Sequence, residues 1–291
     1  MTDGPASQDF KTRGGLGALG PRLVELTALL DEVLARWARH WECEAYRYPP
    51  LIAVEDLARI DYFKNFPHLA VCATGIREEA IGPRYQQAQG GLSRLDAETL
   101  KDSGYVLQSA ACYNIYLSLR GERLAAPRYV TTLGTCFRNE QRYESLERLL
   151  AFQMRELVCV GPASVVEAHL TRCRDAFAAF SRELGLDLTL AVASDPFFGT
   201  DPARAKMQRL FPNKHEFLFQ NRLAVASVNA HRNFFGERCE IRLEDESFAY
   251  SGCFGVGLER FASALIEQAG GVEPALERAR AHLQSPVRGK G

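Results

Sequence analysis

Two stretches of this chain carry side chains whose types and spacing suit the joining of two anions. The first holds Cys136-Phe137-Arg138-Asn139-Glu140 and, after a polar loop, Arg148-Leu149-Leu150-Ala151-Phe152-Gln153-Met154-Arg155-Glu156. Residues 129–138 and 152–160 each alternate small or β-branched with bulky side chains. That period predicts two antiparallel strands joined by a loop rich in arginine and glutamate. Side chains two apart share one face of a strand, so Arg138 and Glu140 point together, as do Phe152, Met154 and Glu156. A guanidinium can bridge a carboxylate and an α-phosphate while charge builds at phosphorus, a role that suits Arg138. Glu140 can then accept a hydrogen bond from an adenine amino group, Phe152 can stack on the base, and Arg148 can reach the outer phosphates.

The second stretch is Ser251-Gly252-Cys253-Phe254-Gly255-Val256-Gly257-Leu258-Glu259-Arg260, followed by Phe261, Ala262, Ala264, Leu265 and Ile266 at helical spacing. Glycines ahead of a helix, Gly257 last among them, let backbone approach a phosphate or a base. Arg260 falls in the first helical turn, where the dipole opposes a cation, so an anionic partner is expected for it.

The elements that must position these groups are legible in outline. Residues 1–20 contain five glycines and read as a mobile tail, leaving 21–291 as one domain. Pro21 opens a helix with Leu23, Leu26, Leu29, Leu30, Val33, Leu34 and Trp37 on or near one face. Glu44 to Ile52, with Pro49-Pro50 inside it, reads as an edge strand. A helix is predicted over 163–184, then strands near 188–193, 216–219 and 223–229. Strands joined by hairpins or single helices, without βαβ regularity, predict an α+β fold: an antiparallel sheet covered by helices.

Composition narrows the function classes. With 46% hydrophobic residues the chain can build one substantial core, and it has no internal repeat or transmembrane run. Lys+Arg 35 against Asp+Glu 36 gives a net charge of −1, so no polyanion partner is advertised. The eight cysteines include no C-x-x-C pair and no secretory signal precedes them, so disulfides are not expected and a reduced, cytoplasmic protein is. Most should be small buried hydrophobes.

In order and separation the two stretches resemble motifs 2 and 3 of the class II aminoacyl-tRNA synthetases. Tyr62-Phe63-Lys64-Asn65-Phe66-Pro67-His68-Leu69 resembles the proline-bearing motif 1, which builds the dimer interface in that class. Its apolar cluster also looks too large for an exposed loop, and both readings predict a homodimer. The run S-G-C-x-G-x-G-L-E-R is distinctive of the atypical, zinc-dependent seryl-tRNA synthetases, and the likeness covers roughly residues 22–268. No tRNA-binding arm or anticodon-binding domain is recognisable beside it. Among truncated class II relatives the pattern therefore resembles the amino acid:[carrier protein] ligases.

That resemblance implies ATP-dependent activation of a small amino acid to an aminoacyl-adenylate, then transfer to the phosphopantetheine thiol of a carrier protein, with no tRNA involved. Glycine is the first candidate, alanine the second and serine the third. It implies Zn2+ held by Cys112, Glu156 and Cys253, with the amine of the substrate on the metal and its carboxylate on Arg138. Ser227 and Asn229 would floor the amino-acid pocket, with His231 following, although ordinary strand polarity explains them equally. Mg2+ is expected with ATP, on an acid among Glu216, Glu237, Glu240 and Glu244. Asp195–Gly199 reads as a lid or a plain turn. Arg204, Lys206, Arg209 and Lys214 are candidate docking cations for an acidic carrier. The alternatives are tRNA charging, a non-catalytic regulatory paralogue and a biotin- or lipoate-ligase-like protein, the last lacking here its glycine-arginine loop.

Overall fold

The computed structural model describes residues 9–82, 94–193 and 213–284. A seven-stranded sheet runs through it, with strands β1 (Glu44–Tyr46), β2 (Arg128–Phe137), β3 (Ala151–Gly161), β4 (Leu188–Val192), β5 (Lys214–Phe219), β6 (Leu223–Arg232) and β7 (Tyr250–Gly257). Their order is β4-β5-β6-β7-β3-β2-β1, antiparallel except where β1 runs parallel to β2 at the edge. Helices α1 (Pro21–His40), α2 (Tyr113–Ser118), α3 (Ala163–Glu183), α4 (Leu258–Ala269) and α5 (Val272–Gln284) complete the frame. The α+β expectation is borne out, and β2 and β3 pair as their alternation predicts.

Strand β3 shows how the pattern divides the core. Leu157 and Cys159 face the helical side, packing with Leu26, Leu30 and Leu34 of α1 and with Phe177, Phe261 and Leu276. Val158 and Val160 point the other way, into a second cluster with Tyr62, Tyr116, Phe235 and Cys253. Leu26, Leu30 and Leu34 are fully buried, and truncating any one to alanine should cost about 2–5 kcal/mol. Arg155, on the helical side, fixes α1 through two 2.7 Å hydrogen bonds donated to Asp31. The opposite face of the sheet is left for the candidate site.

Three expectations change. Residues 9–20 do not form a tail: Phe10–Arg13 and Leu16–Leu19 pair as a hairpin, turned by Gly14 and Gly15 at φ +59 and +81. The carbonyl of Gly15 accepts from Leu150 N at 2.8 Å, and the ring of Tyr143 lies against it. The segment 44–52 divides because Pro49 and Pro50 offer no N–H to a ladder. After β1, Leu51–Ala53 joins Leu100–Leu107 and Val71–Ile76 in a three-stranded sheet. The apolar cluster of 62–69 turns inward: Tyr62 is buried, packed against Phe63, Phe66 and Tyr113. It is no longer an argument for an exposed interface.

Candidate active site

Register builds the site from the sheet upward. Glu216, Ser227, Gly255, Glu156 and Thr132 lie side by side across β5, β6, β7, β3 and β2, and Lys214, Asn229, Cys253, Val158 and Val130 form the next row. Directly opposed residues project from the same face. Gly255 therefore opens a gap between Ser227 and Glu156, floored by backbone alone.

At one end of this trough three acidic groups converge. Cys112 precedes α2 and meets Glu156 and Cys253 so closely that one ligand atom of each lies within 4.8 Å of the others, all three residues being buried. Glu156 Oε1 accepts from the backbone of Ala111 and Cys112, at 2.9 and 3.1 Å. Its Oε2 is buried with no hydrogen-bond partner. Burial pushes the Glu156 carboxyl above the usual carboxylate range. Contact with the Cys253 sulfur, then burial, pushes Cys112 well above the usual thiol range. The Cys112 thiol lowers Cys253, but burial and Glu156 outweigh it and Cys253 is raised. Three acids so arranged, with an orphaned carboxylate oxygen among them, have the donor set and the electrostatic need of a divalent cation site.

The other end is cationic. Arg138 continues the β2 ladder by donating its backbone N–H to Leu150 O at 2.9 Å. Its Nε donates to Ser109 O at 3.0 Å, and its guanidinium lies 5.0 Å from the centroid of the Phe152 ring. Glu140 and Arg148 are ion-paired with each other. Arg260, expected to face an anion, donates to backbone here: Glu147 O at 2.7 Å and Ala224 O at 3.4 Å. Burial, then repulsion from Arg138, lowers it to about 10. Gly257 caps the start of α4, with Arg260 3 residues on.

The remaining sequence candidates separate in space. Glu216 lies on the trough face and pairs with Lys214 at 3.0 Å. Glu237, Glu240 and Glu244 are exposed residues on and after the short helix Phe234–Arg238. Asn229 donates to Ser227 Oγ at 3.1 Å and to Cys253 Sγ at 3.4 Å. Asp195–Gly199, Arg204, Lys206 and Arg209 lie outside the described residues. All eight cysteines are free, six of them buried. No described helix is long and apolar enough to cross a membrane. Sequence reasoning missed Tyr116, for which no spacing signal existed, and it gave Gly255 and Glu259 no role beyond their places in a motif.

Fold and site together define a class II synthetase-type core. The chain belongs to the family described as tRNA synthetase class II core domain (G, H, P, S and T), whose pattern matches residues 99–269. Among curated relatives it is similar to Amino acid–[acyl-carrier-protein] ligase 1 of Bradyrhizobium diazoefficiens, 32% identical over 263 residues, 84% of this chain and 79% of that protein. Ligase 2 of the same organism is also 32% identical, over 86% of this chain and 79% of its own length. A type-2 serine–tRNA ligase of Methanopyrus kandleri is 26% identical over 93% of this chain, which spans 57% of that protein. A solved structure of M. kandleri SerRS in complex with A. aeolicus tRNASec superposes with a TM-score of 0.79 at 21% identity. It covers 96% of this chain, which spans 60% of the solved one.

Proposed function

We propose that this chain activates a small amino acid with ATP and transfers the aminoacyl group to the phosphopantetheine thiol of a carrier protein. The observation that carries the reading is the trough itself, with Cys112, Glu156 and Cys253 at one end, Gly255 as its floor and Arg138 over Phe152 at the other. Similarity to two carrier-protein ligases over 79% of their length supports the carrier as acceptor.

The residues present fit Zn2+: two thiols and a carboxylate, buried, with one carboxylate oxygen unpartnered. When bound there, zinc would supply an open coordination position suited to an α-amino group. Arg138 orients the carboxylate and offsets charge as it attacks the α-phosphate. Glu140 and Arg148, paired with each other, exchange that pairing for the adenine amino group and the outer phosphates. Phe152 supports the base, and Arg260 is held at the same end by Glu147 and Ala224. Glu216 is the acid among the candidates that shares the trough face and so suits Mg2+.

A floor without side chains suits glycine first, alanine second and serine third. A homodimer and a cytoplasmic location belong to the same reading. Exposed Leu51 and Tyr105, on one face of the three-stranded sheet, supply an apolar patch for the dimer, tested by light scattering at micromolar concentration. Amino-acid-dependent pyrophosphate exchange with all twenty amino acids, with and without a chelator, tests the activation step. Exchange with one or two small amino acids, abolished by the chelator, is expected; exchange with none would overturn it.

A further inference from the structure

A β-bulge next to the trough re-aims one side chain. The pairing of β6 with β7 runs in step from Ala226 to Ala230 and shifts between Ala230 and Arg232. A bulge adds a residue to one strand and turns its side chain. Here the added residue is His231, whose Nε2 lies 3.9 Å from Cys253 Sγ. Its other nitrogen, Nδ1, meets Tyr116 Oη at 3.1 Å. Tyr116 is fully buried and stacked on Phe235 at 3.9 Å between centroids, while His231 stands edge-on to both rings. The imidazole is thus held on its sides as well as at Nδ1.

The tautomer follows from Tyr116. A buried hydroxyl that does not donate loses the full value of its hydrogen bond, so Tyr116 O–H donates to Nδ1. Nδ1 is then the unprotonated nitrogen, and the ring proton sits on Nε2, the atom aimed at Cys253. Asn229 Nδ2 approaches the same sulfur at 3.4 Å.

We propose that His231, oriented by Tyr116, is a positioning residue that donates its Nε2–H to the Cys253 thiolate of the metal site. The proposal rests on the zinc reading above. Two thiolates and a carboxylate around one divalent ion leave a net negative charge in a buried place, and N–H donors aimed at a sulfur stabilise that charge. The distance of 3.9 Å is at the outer limit for N–H···S, and a thiolate attracts the donor more strongly than a thiol does. Partners of this kind typically govern metal affinity by about 10–100-fold.

The test loads wild type, H231F, H231Q and Y116F with zinc or cobalt(II). Zinc affinity is measured by competition with a chromophoric chelator, and the thiolate-to-cobalt charge-transfer band is recorded. H231F keeps the ring volume and removes the donor; it should bind zinc about 10–100-fold more weakly and shift the band to longer wavelength. H231Q retains an N–H near the position of Nε2 and should restore both values most of the way. Y116F should move the band in the same direction by less, and it decides the matter if H231F does not fold. Wild-type affinity and an unshifted band in H231F, or in Y116F when H231F is lost, overturn the proposal. Failure of the wild type to bind either metal better than C112S would instead overturn the zinc reading, and this proposal with it.

Discussion

Gly255 and Glu156 face each other across β7 and β3, and a Cβ added at 255 would lie 3.6 Å from Glu156 Cγ, in ordinary contact. Its backbone has no positive φ to strain a side chain. A larger residue there should therefore fold normally while filling the space given to the substrate. We expect Gly255→Ala to lower kcat/KM for the preferred amino acid about tenfold and Gly255→Val about a hundredfold, with the thermal midpoint little changed. Steady-state exchange kinetics beside thermal unfolding check this, and full activity in Gly255→Val would move the pocket elsewhere.

The wild type should carry about one zinc per chain, and Cys112→Ser and Cys253→Ser should each lose it. Hydroxyl is a poor replacement for thiolate, and three ligands with one position open leave little to spare. Elemental analysis of the purified proteins reads the outcome directly. Full zinc occupancy in both variants would contradict the site.

Arg138→Ala should fold and lose adenylate formation. The side chain makes one backbone hydrogen bond, to Ser109 O, and covers Phe152, so its removal leaves the sheet intact. Loss of a preorganised donor to developing charge is typically worth about 10²–10³ in rate. Single-turnover adenylate formation at the wild-type rate would show that another group fills the role.

Glu259 gives a pH dependence of stability with a definite sign. It is 6% exposed, both carboxylate oxygens accept from Gln153 N at 2.9 and 3.0 Å, and burial raises its carboxyl to about 7. A folded-state value raised above the unfolded one means that the folded state holds its proton longer. The stabilisation is complete below the unfolded value of 4.5 and is lost as pH rises through about 7. The full swing is about 3 kcal/mol. Thermal midpoints from pH 5 to 8 should fall more in the wild type than in Glu259→Gln, and parallel curves would rule this out.

How much of this was legible depended on whether the signal was local. The alternation of 129–138 and 152–160 and the periodic leucines of α1 each report a single element, and they located β2 and β3 to within a residue and α1 at its first residue. Gly14-Gly15 was also a local signal. Two adjacent glycines between four-residue runs are hairpin-turn chemistry, and counting glycines as a sign of mobility hid it. The inward turn of Tyr62 depends on Tyr113, some fifty residues away, and no local pattern carries that. His231 was named only as following Asn229, and two-residue spacing puts both on one face of a regular strand. Its meeting with Tyr116 and Cys253 at a bulge is a property of the pairing between two strands, which the spacing does not carry. Arg260 was placed in the correct first turn, but its backbone partners Glu147 O and Ala224 O were not foreseen, since backbone carbonyls leave no trace in a sequence.

The most direct measurement incubates the purified chain with ATP, labelled amino acid and either holo carrier protein, the same carrier without its phosphopantetheine arm, or total tRNA. The account predicts acid-stable, thiol-labile label on the holo carrier, none on the armless carrier and none on tRNA. Efficient charging of tRNA with no label on any holo carrier would contradict it.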